Sequence, residues 1–398
     1  MSDATSTTPV KPDLMRFVRT NLRDYALLLA LLAIMIFFQI ATGGVLFKPV
    51  NLTNVILQNS YIIIMALGMM LVIVAGHIDL SVGSVSGFIG AVAAVMIVSW
   101  KLDPLLSSIA CVGLGALIGG TQGYLVAYFK IPAFIVTLAG MLIFKGLALT
   151  VLGGASVGPF PKEFQLLSSG FIPDFTADST FNWVAVIVGV LVTAAIIYFN
   201  FRERWNQQQH GLAEEPDIIF YSRNLLIAVA FLAFAWLMAS YKGLPNVLIV
   251  MFTLIALFIF ITTRTTFGRR VYAMGGNEKA AKLSGINTER LTLMIFAILG
   301  GLAGLAGLVF AARLNVATPK AGQGFELEVI AACFIGGAAV TGGVGKIIGA
   351  VIGAFIIGVM NNGMSILGIG IDMQQVIKGV VLLLAVMFDV YNKSKSVS

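Results

Sequence analysis

Long apolar segments recur along this chain, and each approaches the roughly 20 residues that an α-helix needs to cross a bilayer. Of the 398 residues, 59% are hydrophobic and only 11% are charged, which is far outside the composition of water-soluble domains. This apolar content suffices for about 11 or 12 spanning helices and leaves no room for a separate catalytic domain. The sequence therefore predicts an all-α integral membrane protein and excludes a soluble enzyme.

Hydropathy predicts a polytopic bundle of about 12 transmembrane segments, one of them short or re-entrant. The segments lie at residues 25–42, 57–76, 83–100, 105–128, 133–153, 182–201, 223–241, 245–262, 291–311, 327–340, 347–365 and 372–390. The first apolar run lacks a signal-peptide cleavage site and is expected to be retained. We therefore expect a transmembrane domain over residues 25–391, flanked by tails at 1–24 and 392–398.

Lysine and arginine residues predict the orientation, because they are retained in short cytoplasmic loops. With the N-terminus inside, roughly 17 of these residues fall in internal segments and about 6 in external ones. Both termini are therefore expected in the cytoplasm. This asymmetry explains the net charge of +7 without nucleic-acid binding. The same topology makes residues 154–182 an external loop and residues 263–290 a cytoplasmic one.

The cytoplasmic loop contains a short segment with helix start and stop signals. Asn277 can cap a helix that begins at Glu278, and Gly285 can stop it. Gly275 and Gly276 are expected to isolate it from the preceding span. Because so short a helix is unstable alone in water, its small apolar face must pack on a partner groove, on its own domain or at the lipid headgroups. The candidate docking residues are Asn277, Glu278, Ala280, Ala281, Leu283, Ser284, Gly285 and Ile286.

Four stretches that together span most of the chain resemble one family. The bacterial sugar-uptake ABC permeases of the ribose, xylose and multiple-monosaccharide type have signatures similar to GRRVYAMGGNEKAAKLSGINTER, GHIDLSVGS, PAFIVTLAGM and AACFIGGAAVTGGVGK. The extra pair of spans near 182–201 and 223–241 resembles the longer, xylose or multiple-sugar branch. The resemblance implies a multi-pass permease subunit of the bacterial inner membrane that translocates monosaccharides.

The same resemblance implies a division of labour between several chains. The partners would be a cytoplasmic ABC ATPase, a periplasmic sugar-binding protein and a second permease copy, expected to form a homodimer with the sugar crossing between the copies. The helix from Glu278 to Gly285 would be the coupling helix that docks in the ATPase. The glycine-rich loop ending at Lys346 lacks the glycine and the Ser or Thr of a phosphate-binding loop. ATP and Mg²⁺ are therefore expected in the ATPase, and no cofactor on this chain.

Glycine and polar residues interrupt the apolar spans at residues 76–87 and 336–346. Broken helices at membrane depth are tolerated where the freed backbone groups are buried in protein or line a wet cavity, so each break is a candidate for the substrate path. A path for neutral sugars should offer amides, hydroxyls and aromatic faces. The candidates are Asp79, Ser81, Gln122, Thr137, Asn361 and Asn362.

Each of these candidates also has a structural interpretation. Asp79 can cap the helix that follows it, and the amides and hydroxyls can bond between helices. Asn361 and Asn362 point about 100° apart on one helix, so at most one is expected to face the path. His77 either bonds a sugar hydroxyl or lies at the cytoplasmic interface. Lys145 and Lys378 fall within spans and need partners or a route to the interface.

Three other functions remain open at this stage. A permease for a branched-chain amino acid or a nucleoside would share the architecture. An ion-coupled sugar symporter would need buried acids near the bilayer midplane, which are nearly absent from the spans. A membrane-embedded enzyme is least supported, because no set of His, Cys and carboxylate residues is clustered, so neither catalytic residues nor metal ligands are expected. Glycines spaced four apart, such as Gly115 and Gly119 or Gly300 and Gly304, predict close helix contacts.

Overall fold

The computed structural model describes residues 14–175, 181–210 and 215–397. Of the predicted N-terminal tail only residues from Leu14 onward are described, and they belong to the first helix. The helices are α1 (Leu14–Ala41), α2 (Pro49–Val74), α3 (Val82–Ala94, extended by a π-helical turn Val95–Ser99), α4 (Pro104–Tyr128), α5 (Ala133–Val151), α6 (Lys162–Gln165), α7 (Trp183–Gln209), α8 (Asp217–Ala239), α9 (Val247–Arg264), α10 (Thr266–Gly276), α11 (Glu278–Leu283), α12 (Thr288–Leu314), α13 (Phe325–Ile335), α14 (Ile347–Ile366) and α15 (Ile371–Val397).

Within these ranges nine helices are long and apolar enough to cross a membrane, and α1 adds a shorter apolar stretch, Ala26–Ala41. Apart from two isolated β-bridges, all regular structure in the described part is helical. The predicted all-α membrane architecture is thus confirmed, whereas the full count of twelve segments and the cytoplasmic termini stay predictions. The predicted short segment is α13, whose 11 residues span about 16 Å, roughly half of the ~30 Å hydrocarbon core.

One compact unit comprises residues 1–28 and 172–244 and contains α7 and α8. These two helices pack side by side as an antiparallel hairpin. The amide of Asn200 donates to Oδ1 of Asn224 at 2.9 Å, and Gly189, earlier in α7, lies close to Ala235, later in α8. Near the loop of this hairpin, Arg223 pairs with Glu215 at 3.0 Å. The two spans that the sequence singles out as an extra pair therefore pack as a unit of their own.

The second compact unit comprises residues 29–171 and 245–398, and α2 runs through its centre. Every α2 residue from Asn59 to Val74 is buried. A helix that is apolar on all sides must be surrounded by other helices. Gly68 lies against Leu299 of α12, and the thiol of Cys333 in α13 contacts the carbonyl of Ala66. Helices α9, α10, α12, α13 and α14 pack against this central helix.

Close glycine contacts join α4 to α12. A Cβ atom on Gly115 would overlap the carbonyl oxygen of Gly300, and a Cβ on Gly119 would overlap that of Phe296. Between α13 and α14, a Cβ on Gly353 would overlap the carbonyl of Ala332 in the same way. Small residues let helix backbones approach in lipid, where no hydrophobic effect drives the helices together. The predicted close helix contacts at the glycine strings are confirmed.

The half-length helix α13 is entered by a chain segment that turns back into the bundle. After α12 ends, residues 315–324 bring Gly322 against the backbone of Gly83 at the start of α3. Helix α13 then runs parallel to α2, with Phe325 against Tyr61 at a ring distance of 4.4 Å. The chain continues through residues 336–346 and returns as α14. Because Gly343 then bonds the carbonyl of Val74 at the end of α2, the segment runs on along α2 and does not turn back, so α13 matches the short alternative of the expected short or re-entrant segment.

Candidate functional site

The loop predicted to be cytoplasmic contains two helices rather than one. Thr265 separates α9 from α10 and accepts a hydrogen bond from the amide of Gly268 through its hydroxyl. Val271 and Met274 are buried one turn apart and hold α10 on the domain. The sequence analysis did not anticipate α10, although this apolar spacing next to Arg269 and Arg270 is typical of an amphipathic helix.

Helix α11 has the boundaries that the sequence predicts. The side chain of Asn277 accepts from the amide of Ala280 at 3.0 Å. At the other end, Gly285 has φ +83°, its amide donates to the carbonyl of Lys282, and the amide of Ile286 donates to that of Ala281. This pair of bonds is the Schellman motif, which ends a helix with a left-handed glycine. Both the cap and the stop are confirmed.

The residues of α11 divide into an inner and an outer face. Ala281 is buried against the domain, whereas the side chain of Leu283 is 90% exposed. Exposed residues also include Asn277, Glu278, Ala280, Ser284 and Gly285, while Ile286 is half-buried. The domain thus holds α11 by Ala281 and presents an apolar side chain outward.

Gly275 and Gly276 do not form the linker that the sequence predicted, and that expectation is wrong. Both belong to the last turn of α10. A Cβ on Gly275 would overlap the carbonyl oxygen of Val74 at the end of α2. Gly275 is therefore a contact point at which α10 rests directly on the backbone of the central helix.

The two interruptions of the apolar spans meet at this contact point. The amide of Gly343 donates to the carbonyl of Val74 at 2.8 Å, and a Cβ on Gly342 would lie 3.1 Å from Cα of Gly76. The phenol of Tyr272 in α10 donates to the carbonyl of Gly345 at 2.7 Å. Three segments that are distant in sequence, around residues 75, 275 and 343, are thus in contact through their backbones. Because backbone atoms make these contacts, a change of side-chain rotamer cannot loosen them.

A cavity of about 410 Å³ lies next to α11. Its charged lining residues include Lys130, Glu278 and Glu289, and Glu289 pairs with Lys130 at 3.4 Å and with Lys282. The hydrogen bond to Glu289 raises the pKa of Lys282. His77 also lines this cavity, and burial lowers its pKa. His77 therefore lies beside α11, and a bond to sugar stays a prediction.

Four of the candidate path residues gather at the break between α2 and α3. Oγ of Ser81 lies 2.7 Å from Oδ1 of Asp79 and 3.0 Å from Oε1 of Gln122. The hydroxyl of Thr137 donates to the carbonyl of Ala133 at 2.9 Å. All four side chains are buried. Because the carboxylate of Asp79 also accepts from the amide of Ser81, the geometry favours its capping interpretation, and its role in a path stays a prediction.

Asn361 and Asn362 point in different directions, as expected. Asn362 is buried and accepts a hydrogen bond from Asn51 at 2.9 Å. Asn361 lines a second cavity, of about 350 Å³, next to α13. The same cavity is lined by Glu328 and Lys378, which form an ion pair at 2.6 Å. Sequence reasoning treated Lys378 as structural and overlooked Glu328, although FELEVI places two carboxylates within the short apolar segment.

Among the described residues, no group of three or more His, Cys, Asp and Glu side chains could hold a metal ion. Cys111 and Cys333 are free and buried. In the described part of the second unit, the polar side chains include hydrogen-bonding groups and the ion pair of Glu328 with Lys378. Such groups can contact a neutral, hydroxyl-rich solute.

Comparisons with known proteins give consistent matches. The family model described as branched-chain amino acid transport system / permease component matches residues 51–199 and 177–386. The xylose transport system permease protein XylH of Haemophilus influenzae is 40% identical over 375 residues, which are 94% of this chain and 98% of the relative. The Escherichia coli K12 protein of that name is 40% identical over 377 residues, 94% of each chain.

More distant similarity extends to the ribose import permease protein RbsC of Escherichia coli K12, which is 34% identical over 373 residues, 94% of this chain and 95% of the relative. No solved structure matches the chain. The family model covers well over half of the sequence, and the relatives align over nearly their whole lengths. The chain therefore belongs to the family of the branched-chain amino acid transport system permease component, in the branch that contains the xylose and ribose permeases.

Proposed function

We propose that the chain is the membrane-spanning permease subunit of an ATP-driven importer that carries monosaccharides, xylose foremost, across the bacterial inner membrane. The identity to two xylose permeases over nearly their entire lengths supports the substrate class. The observation that carries the mechanism is α11, a capped helix that is anchored by Ala281 and presents Leu283 outward. A branched-chain amino acid or a nucleoside is the less favoured substrate, because the relatives described above are xylose and ribose permeases.

The partner expected at α11 is a cytoplasmic ABC ATPase. The helix has six residues and is too short to be stable alone, so its position is fixed by packing and transmits any push on Leu283 to the domain. A groove on the partner that accepts Leu283 would remove this apolar side chain from water. ATP binding and hydrolysis in the partner would then shift α11 and change the side to which the membrane domain opens.

The remaining partners follow from the same proposal. A periplasmic sugar-binding protein delivers the sugar on the outer face, and a second copy of the permease completes a homodimer. The charge asymmetry of the loops supports cytoplasmic termini, which place α11 on the side of the ATPase. ATP and Mg²⁺ are used by the ATPase rather than by this chain.

Replacing Leu283 by aspartate tests the docking directly. The Leu283→Asp variant should weaken association with the ATPase by about tenfold or more, because a carboxylate must lose water to enter an apolar groove. Since Leu283 is 90% exposed, the variant should insert and fold normally. The measurement is co-purification of the ATPase with the permease from detergent.

Leu166→Asp is the matched control. Leu166 is also exposed but lies just after α6, in the predicted external loop. This variant should bind the ATPase like the wild type. Unchanged ATPase binding by Leu283→Asp would remove the support that α11 gives to the proposal.

A further inference from the structure

The cavity of about 350 Å³ is bordered by the half-length helix α13 and by α2, α14 and α15. Its volume falls in the range of roughly 300–1,000 Å³ that small-molecule sites occupy. Gly324, at which the returning segment ends and α13 begins, lines it. Helix ends at membrane depth are tolerated where they line a wet cavity or are buried in protein. The place of this cavity therefore fits a route for a polar solute.

Three helices are connected by hydrogen bonds along the cavity wall. Oε1 of Glu328 in α13 accepts from the ammonium of Lys378 in α15 at 2.6 Å and from the amide of Asn361 in α14 at 3.2 Å. The two opposite charges neutralise each other, so a neutral solute meets strong hydrogen-bonding groups without a net charge. Oδ1 of Asn361 is buried and has no partner among the described residues. A buried amide oxygen without a hydrogen-bond partner in the protein is expected to accept a hydrogen bond from a bound ligand or a water molecule.

An aromatic wall completes the cavity. The ring of Tyr61 lies 4.4 Å from that of Phe325, with a tilt of 33°. Both residues line the cavity, together with Gln323 and Gln375. Aromatic faces cover the C–H surfaces of a sugar ring, and amides bond its hydroxyls. The lining thus offers both kinds of group that a monosaccharide presents.

The other polar sites of this unit are less suitable for transport. The cluster of Asp79, Ser81 and Gln122 is buried, and most of its groups already bond one another. The cavity of about 410 Å³ lies beside α11, where the ATPase is proposed to dock. The cavity next to α13, by contrast, combines space, an aromatic wall and exchangeable hydrogen bonds.

We infer that the cavity between α13, α14 and α15 holds the monosaccharide during its passage, and that Glu328, Lys378 and Asn361 are the groups that bond its hydroxyls. This inference rests on the proposed function. Sugar hydroxyls replace bonds within the ion pair as the sugar enters, and the pair closes again when the sugar leaves. The binding this provides is transient, as passage requires.

Glu328→Gln removes the charge and keeps the shape of the side chain. Uptake driven by ATP should fall about tenfold, because Lys378 loses its partner and the sugar loses a strong acceptor. Glu215→Gln is the matched control, because Glu215 forms a similarly exposed ion pair with Arg223 in the other unit. The control should transport like the wild type. Wild-type uptake by Glu328→Gln would overturn the role of the ion pair.

A labelling experiment separates passage from stability. In a background with Cys111→Ala and Cys333→Ala, Gln375→Cys places a thiol on the cavity wall, and Val376→Cys places one on the adjacent residue, which does not line the cavity. A charged methanethiosulfonate reagent is applied to vesicles that contain the permease with its ATPase and binding protein. Complete modification is verified by mass spectrometry of the Gln375→Cys protein.

Modification of Gln375→Cys should reduce ATP-driven xylose uptake at least about tenfold, while the same treatment leaves Val376→Cys transport intact. Full uptake by the completely modified Gln375→Cys protein would overturn the inference. Failure of the proposed function would give a different result, because vesicles with the unmodified wild-type permease, its ATPase and the binding protein would then import no sugar.

Discussion

Gly300→Ala is expected to destabilise the membrane domain by about 3 kcal/mol, although it adds a single methyl group. The new Cβ would overlap the carbonyl oxygen of Gly115 and lie 2.8 Å from the amide nitrogen of Gly119. These atoms belong to the backbone of α4, so no rotamer change can make room for it. The helices α4 and α12 must separate, which loosens packing along their whole contact.

The neighbouring Gly301 provides the control, because an alanine there is not expected to lower stability. A Cβ on Gly301 would meet Cβ of Ala116 at 3.5 Å, an ordinary contact. Gly301→Ala should therefore be neutral or stabilising by up to about 1 kcal/mol, because alanine favours the helix more than glycine does. The measurement is the thermal midpoint of the detergent-solubilised protein, which should fall by about 4 °C for Gly300→Ala only. Equal midpoints for the two variants would contradict the close packing of α4 on α12.

Gly275→Ala is expected to uncouple ATP hydrolysis from sugar transport. Its Cβ would overlap the carbonyl of Val74 and lie 2.7 Å from the amide of Gly343, so α10 must move away from both. Helix α11 follows α10 directly and should lose its fixed position on the domain. The number of sugars imported per ATP hydrolysed should fall about tenfold, within the range of coupling energies known between sites.

Gly276→Ala is the matched control for this experiment, because a Cβ at that position meets no atom within 4 Å. It should couple like the wild type. Both variants are compared in reconstituted vesicles by parallel assays of sugar uptake and phosphate release, with the thermal midpoint as a check on folding. A Gly275→Ala protein that retains the wild-type ratio of uptake to hydrolysis would show that the Val74 contact does not carry coupling.

The contacts of Gly275 belong to a continuous set within one unit. Helix α10 bonds the segment after α13 through Tyr272 and Gly345, and it rests on the end of α2 at Val74. Helix α13 in turn carries Glu328 on the wall of the proposed passage. A movement of α11 driven by the ATPase can therefore reach the passage through rigid elements, without long flexible links.

Features encoded in local sequence could be predicted well. Asn277 and Gly285 define α11 because capping depends on side-chain chemistry and on φ, both of which a single residue controls. The glycine strings predict close helix contacts for the same reason, since only the absence of a Cβ permits them. The apolar spans follow from the thickness of the bilayer, and the short helix α13 follows from a segment too short to cross it.

Features that depend on three-dimensional neighbours could not be predicted. Gly275 looked like a linker because nothing in its sequence context shows that Val74 lies against it. Glu328 and Lys378 are 50 residues apart, and only the fold brings their side chains together. The sequence named Asp79 and Asn361 alike as candidates for the path, but it could not show that Asp79 is buried while Asn361 lines a cavity.

The most direct test of the central claim is xylose uptake into vesicles that contain this permease. One preparation holds the permease alone, with and without an ion gradient, and the other adds the ATPase on the cytoplasmic face, the binding protein and ATP, with the gradient collapsed. The account predicts uptake only in the complete, ATP-supplied preparation. Uptake by the permease alone that depends on an ion gradient would contradict it and identify a symporter.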